Sequence, residues 1–306
     1  MRFPTIELGS ELIPLDVDPD HPVYMQILAR WYATMWRAHP TVWEMHIRNG
    51  QFDTVNGRNG IPATKHCAAQ ALRAEVLAKV LGLNRALTYE LVAGVLLTDS
   101  FKFREWQYMQ RVGPSWDSYA EAQRQAKRSW QATQMFSDRV IRLASSVAHE
   151  TLLSMEIFCD RFELGEQLTP FEIAQLIAHY ADDISQDHRW VTEKREGRNV
   201  LEERILVRNA SNPTYKRLNE EGRVRLHEEA VAAGYPQYFA NHETTYEAQA
   251  RVGRRVQMVL ATLLGHALKQ RLDPLDLPVI IDNAIRRKLN GDISNAMTYR
   301  ECKAGA

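Results

Sequence analysis

Apolar residues recur at intervals of three and four along most of this chain, and that spacing predicts helices rather than strands. Tyr24, Ile27, Leu28, Trp31, Met35 and Trp36 form one such stripe, which reads Trp31, Trp36 and the nearby Trp43 as core residues. Leu72, Val76, Leu77, Val80 and Leu81 form a second, closed by Gly82 as a helix C-cap. The pattern continues through Leu91, Val95 and Leu96, through Val140, Leu143, Val147 and Leu152, and through Ile173, Leu176, Ile177 and Tyr180. A last long stripe runs from Val252 to Leu264. Thr169, Pro170 and Glu172 carry the signs of a capped helix start: a hydroxyl cap, a proline in the first turn and a capping-box acid. The only strand-like run is the short one from Leu277 to Ile281. The expected fold is all-α, with nine or ten helices.

Three segments interrupt the helical pattern. Residues 1–20 are rich in Pro and Asp and read as an extended arm. Residues 49–63 hold three glycines and read as a loop. Residues 193–223 are densely charged, with turn signals at Asn209–Pro213. The organisation expected is an arm at 1–20, a helical domain at 21–223 and a helical C-terminal extension at 224–306, with no long linker before the last.

Charge and composition exclude several functions. Lys plus Arg equals Asp plus Glu at 38 each, so the basic excess of a general nucleic-acid or acidic-membrane binder is missing. No stretch approaches the roughly 18 apolar residues of a membrane helix. The opening MRFPTIELGSELIPLDVDPD lacks the apolar core of a signal peptide. Cys67, Cys159 and Cys302 are too few and too scattered for a disulfide framework or a zinc ribbon. A cytoplasmic protein is expected.

The segment that carries chemistry is TKHCAAQALRAEVLAKVLGL, residues 64–83, followed by LTYELVAGVLLTDSFK, residues 87–102. His66 stands near the start of one helix and Asp99 closes the next. A later helix ends IAHYADDISQD, residues 177–187, with Asp182 and Asp183 at its end. An imidazole and separated carboxylates at helix ends can converge on one divalent metal, the donor mix suiting Zn, Mn, Fe or Ni, and added carboxylates favouring Mg or Mn.

This arrangement resembles the HD-domain superfamily of metal-dependent phosphohydrolases. His66 matches the family's first His, and Leu-Leu-Thr-Asp-Ser-Phe-Lys at 96–102 matches the segment that typically reads Leu-Leu-His-Asp-Ile-Gly-Lys. Lys102 matches the family Lys, and Asp182, after His-Tyr-Ala, matches the final Asp, with Asp183 the second choice. The resemblance covers roughly residues 60–205. It implies a divalent metal (Mn, Mg, Zn or Fe) held by His66, Asp99 and Asp182. It also implies Asp99 as the group that orients or deprotonates a water, Lys102 as a point charge facing phosphate, and a nucleotide or related small phosphate ester as substrate. Homo-oligomerisation is left open.

The departure is Thr98, which stands where the family has a metal-binding His. A hydroxyl is a far weaker ligand for a transition metal than imidazole, though it can approach a hard cation such as Mg. His149, in Ser-Val-Ala-His-Glu-Thr, could supply the missing nitrogen or be a buried, hydrogen-bonded core histidine. His179, one turn before Asp182, could ligate or simply hydrogen-bond that acid. Two functions follow: an HD-type phosphohydrolase, or a non-catalytic HD-like protein that binds a nucleotide or a protein partner. An iron-dependent oxygenase of the same type would need more His ligands than the sequence offers.

Overall fold

A computed structural model of the chain describes residues 11–147, 151–185, 201, 205–206, 212 and 215–304. Its regular elements are all helical. They are α1 (Pro22–Ala38), α2 (Pro40–Arg48), α3 (Ile61–Val80), α4 (Arg85–Leu97), α5 (Lys102–Val112), α6 (Trp116–Ala132), α7 (Asp138–Ala144), α8 (Leu152–Glu163), α9 (Pro170–Asp183), α10 (Lys216–Ala232), α11 (Thr245–Leu268) and α12 (Leu277–Ala304). A 3-10 turn at Thr98–Phe101 joins α4 to α5. Among the described residues, no helix is long and apolar enough to cross a membrane.

The centre of the molecule is α3. Its residues from Cys67 to Ala78 are buried with the single exception of Glu75, so the helix is covered on nearly every side. Five of them are alanines, which let neighbours approach closely. α4, α9 and α12 pack against it, and α11 packs in turn against α8 and α9. Gly94 on α4 serves the next contact outward. A Cβ there would stand 2.6 Å from Leu143 Cβ, so glycine is what lets α4 and α7 close on each other.

The caps behave as the sequence indicates. Thr169 Oγ1 accepts from Glu172 N, and the Glu172 carboxylate accepts from Thr169 N. Gly82 follows the end of α3 at φ +72°, a conformation natural only to glycine. Trp31 and Trp36 are buried, and Trp43 packs against Trp36.

Three expectations are corrected. Leu277–Ile281 is not strand-like but the first turns of α12. Leu277, Ile280, Ile281, Ala284, Ile285 and Leu289 are all buried at helical spacing, and the five-residue window had cut that face short. The stripe from Val140 to Leu152 is not one helix, because α7 ends at Ala144 and α8 begins only at Leu152. The loop drawn at 49–63 is shorter, since Ile61 already opens α3.

Residues 11–20 form the described part of the arm and carry no helix. They lie against α12 through reciprocal bonds. Ile13 N donates to Asn283 Oδ1, and Asn283 Nδ2 donates back to Glu11 O, both at 2.8 Å. Arg286 donates to Ile13 O and Asn290 to Pro14 O. The boundary drawn at 223–224 falls inside α10, and the turn signals at Asn209–Pro213 fall almost wholly outside the described residues.

Candidate functional site

α3 and α9 run side by side, and their polar residues meet at one place. His66 sits in the second turn of α3, and Asp182 closes α9. His66 Nε2 lies 3.2 Å from Asp182 Oδ1 although 116 positions separate them, and both side chains keep some exposure, 14% and 17%. The third member of the group is Gln70, one turn along α3 from His66 and fully buried. Its amide N–H donates to His66 Nε2 at 2.5 Å and to Asp182 Oδ1. Its carbonyl oxygen has no hydrogen-bond partner among the described residues.

Asp99 enters from the 3-10 turn, in the non-helical conformation φ −93°, ψ +16° that lets the chain bend there. Gln51 Nε2 donates to its backbone carbonyl at 2.8 Å and fixes that bend. Its effect is felt at Cys67, on α3 beside His66. Burial pushes the Cys67 thiol well above its ordinary range, and the nearby carboxylates of Asp99 and Asp182 push it further. Asp99 and Asp182 therefore both lie near Cys67 on α3. Among the described residues, however, no three His, Cys, Asp or Glu side chains form a group that could hold a metal ion, so Asp99 does not complete a three-ligand set with His66 and Asp182.

Lys102 opens α5. Its ammonium is 2.8 Å from Glu105 Oε1 and lies over the Tyr215 ring. Burial works against its charge, but Glu105, Tyr215 and Asp99 outweigh it and hold the ammonium well above the usual lysine range. The Lys102 charge is thus shared with the Glu105 carboxylate.

Thr98 is turned away from the site. Its hydroxyl donates to Gly94 O at 3.2 Å and to Ala144 O at 3.4 Å, in the seam between α4 and α7. His149 lies outside the described residues. The two acids at the end of α9 divide their work. Asp182 faces His66, whereas Asp183 is buried with Oδ2 3.3 Å from His179 Nε2 and Oδ1 accepting from Gln249. His179 thus pairs with Asp183, not with Asp182, and its Nδ1 is 3.0 Å from Ser146 O.

The sequence reading missed Gln70, whose one signal was its place four residues after His66. It also missed Arg73, which lies on the same helix and is 2% exposed. Arg73 donates to Ala69 O and Ser185 Oγ and pairs with Asp282 at 3.6 Å, tying α3 to the end of α9 and to α12.

The donor atoms can be weighed against the divalent ion that the resemblance implies. Two atoms 3.2 Å apart, a nitrogen and a carboxylate oxygen, can share one ion at bonds of roughly 2.0–2.2 Å. The buried, unpartnered carbonyl oxygen of Gln70 is the kind of group a cation satisfies. His66 and Asp182 supply two donors that fit such an ion, the Gln70 oxygen can be a third once its amide turns, and Thr98 contributes nothing. Comparison with protein-family models, with curated proteins and with solved structures found no match to this chain.

Proposed function

We propose that the chain is an HD-type metal-dependent phosphohydrolase of the cytoplasm, acting on a nucleotide or a related small phosphate ester. One observation carries the reading. His66 and Asp182, the residues the resemblance assigns to the metal, stand 3.2 Å apart across α3 and α9 with part of each exposed.

In this reading His66 and Asp182 hold the ion. A divalent ion bound there would lower the pKa of a water and polarise a phosphoryl oxygen. Asp99 orients that water or takes its proton from the adjoining 3-10 turn. Lys102, kept charged beside Glu105 and Asp99, offsets negative charge that develops on the phosphate. The test is hydrolysis of a panel of nucleoside mono- and triphosphates with Mn, Mg or Zn. Turnover by the wild type that needs metal and disappears in Asp99→Ala supports the enzyme. No metal uptake and no turnover sinks it.

A second reading, a non-catalytic protein that binds a nucleotide or a protein partner, is favoured by two observations. The Thr98 hydroxyl is turned to backbone carbonyls, and the Gln70 amide spans His66 and Asp182. Nucleotide binding that is indifferent to metal would select it.

A further inference from the structure

Resting on the hydrolase reading, we propose that Gln70 is itself a metal ligand. Its side-chain carbonyl oxygen takes the place in the coordination shell that Thr98 leaves, giving a site of one nitrogen and otherwise oxygen donors that prefers Mn or Mg to Zn.

The argument begins with placement. Residues four apart on a helix share a face, so Gln70 projects beside His66 from the same side of α3. The amide reaches both His66 Nε2 and Asp182 Oδ1, which puts it in contact with each of the two atoms that would hold the ion. Its side chain is fully buried, so no alternative partner in solvent competes for it.

The amide's chemistry supplies the second step. Rotation by half a turn about the last side-chain bond exchanges oxygen and nitrogen, which differ little in size. One orientation donates N–H to His66 and Asp182 and leaves the carbonyl oxygen without a partner. The other presents that oxygen to the same two residues. With the His66 tautomer that leaves Nε2 bare, as metal binding requires, three acceptors then face one point and a cation can join them. The same side chain can therefore close the site when metal is absent and ligate when it is present.

The third step is the donor count. Thr98 cannot serve, because its hydroxyl is held by Gly94 O and Ala144 O. A set of one imidazole, a carboxylate and an amide oxygen is harder than the family's imidazole-rich set. Such donors suit Mg and Mn, whereas nitrogen and sulfur suit Zn.

The experiment is a titration of the full chain, stripped with chelator, using Mn alone and then Zn alone, followed by calorimetry and by the electron-spin signal of free Mn. Wild type, Gln70→Leu, Gln70→Glu, His66→Ala and Asp182→Ala are compared, with circular dichroism to check that each is folded. Wild type should bind one Mn. Gln70→Leu should weaken Mn by roughly tenfold or more, the scale on which even outer partners of a metal site act, and weaken Zn less. Gln70→Glu, which keeps the oxygen and adds a charge, should tighten Mn, and it carries the test if the leucine variant fails to fold. Mn binding that is unchanged or tighter in Gln70→Leu, or not tightened in Gln70→Glu, overturns the role of Gln70. If His66→Ala and Asp182→Ala still lose the ion in that case, the hydrolase reading stands. No Mn uptake by wild type or by Gln70→Glu overturns both.

Discussion

Two adjacent acids at the end of α9 build two triples from the same residue types. Asp182 meets His66 and Gln70; Asp183 meets His179 and Gln249. The first His–Asp pair is 14% and 17% exposed, and the second is 1% on both sides. Asp183 is shut in further by α11. A Cβ at Gly253 would stand 2.8 Å from Asp183 Oδ2, so glycine is what lets that helix pass over the carboxylate. Identical chemistry thus serves two ends. Sealed between helices, an acid–imidazole–amide triple fastens α9 to α11 and to the turn at Ser146. Left partly open, it can meet something from outside.

The largest expected effect separates the two triples. Asp183→Ala leaves His179 and Gln249 without their buried neighbour, and each buried polar group left unsatisfied costs roughly 1–3 kcal/mol. Asp182→Ala should cost less, roughly 1–2 kcal/mol, while abolishing any metal uptake. Urea unfolding of both variants measures this, and equal losses would break the comparison.

Burial of imidazoles elsewhere sharpens it through pH. Burial lowers both His39 and His46 to about 4, the hydrogen-bond contact of His46 with Leu96 O offsetting only part of the effect. These folded-state values lie below the unfolded value near 6.5. The unfolded chain therefore takes up protons first, and stability falls as pH drops from about 6.5 towards 4. By pH 5 the loss is about 2 kcal/mol for each histidine. Melting temperatures at pH 7 and pH 5 check it, and a flat profile would contradict the sealed character of both rings.

The smallest effect concerns Thr98. Its side chain packs in the seam of α4 and α7, so Thr98→His should overfill that seam at roughly 1–3 kcal/mol. It should not tighten metal binding, as the family motif alone would lead one to expect. A Mn titration in which Thr98→His gains affinity would show that position 98 can turn towards the site after all.

The helical architecture was legible because burial on one face repeats every three to four residues, and few other folds produce that over so many segments. Breaks were harder to read. The stripe from Val140 to Leu152 keeps its spacing across the bend at Ser145–Val147, and nothing in the residue types announces it. At the site, His66 and Asp182 were visible through motif spacing. The partner of His179 was not, since Asp182 and Asp183 lie at three and four residues, both on the same face, and only the packing of α9 against α11 decides between them. Thr98 looked like a ligand position because it precedes Asp99, but its direction depends on the 3-10 turn. Gln70 escaped notice because a neutral amide carries no signature of metal or acid–base chemistry.

The clasp between the arm and α12 has a consequence for how the chain comes to be folded. Its bonds join residues 270 to 276 positions apart, among the longest separations in the molecule. During synthesis, Glu11 to Asp16 leave the ribosome some 270 residues ahead of Asn283, Arg286 and Asn290. Until then the bonds from Ile13 and Asp16 to α12 cannot form, and the faces of α1 and α3 that α12 covers stay uncovered. Exposed apolar surface of this kind invites chaperones and premature association. The chain therefore completes this part of its core by fastening one segment to another made some 270 residues later.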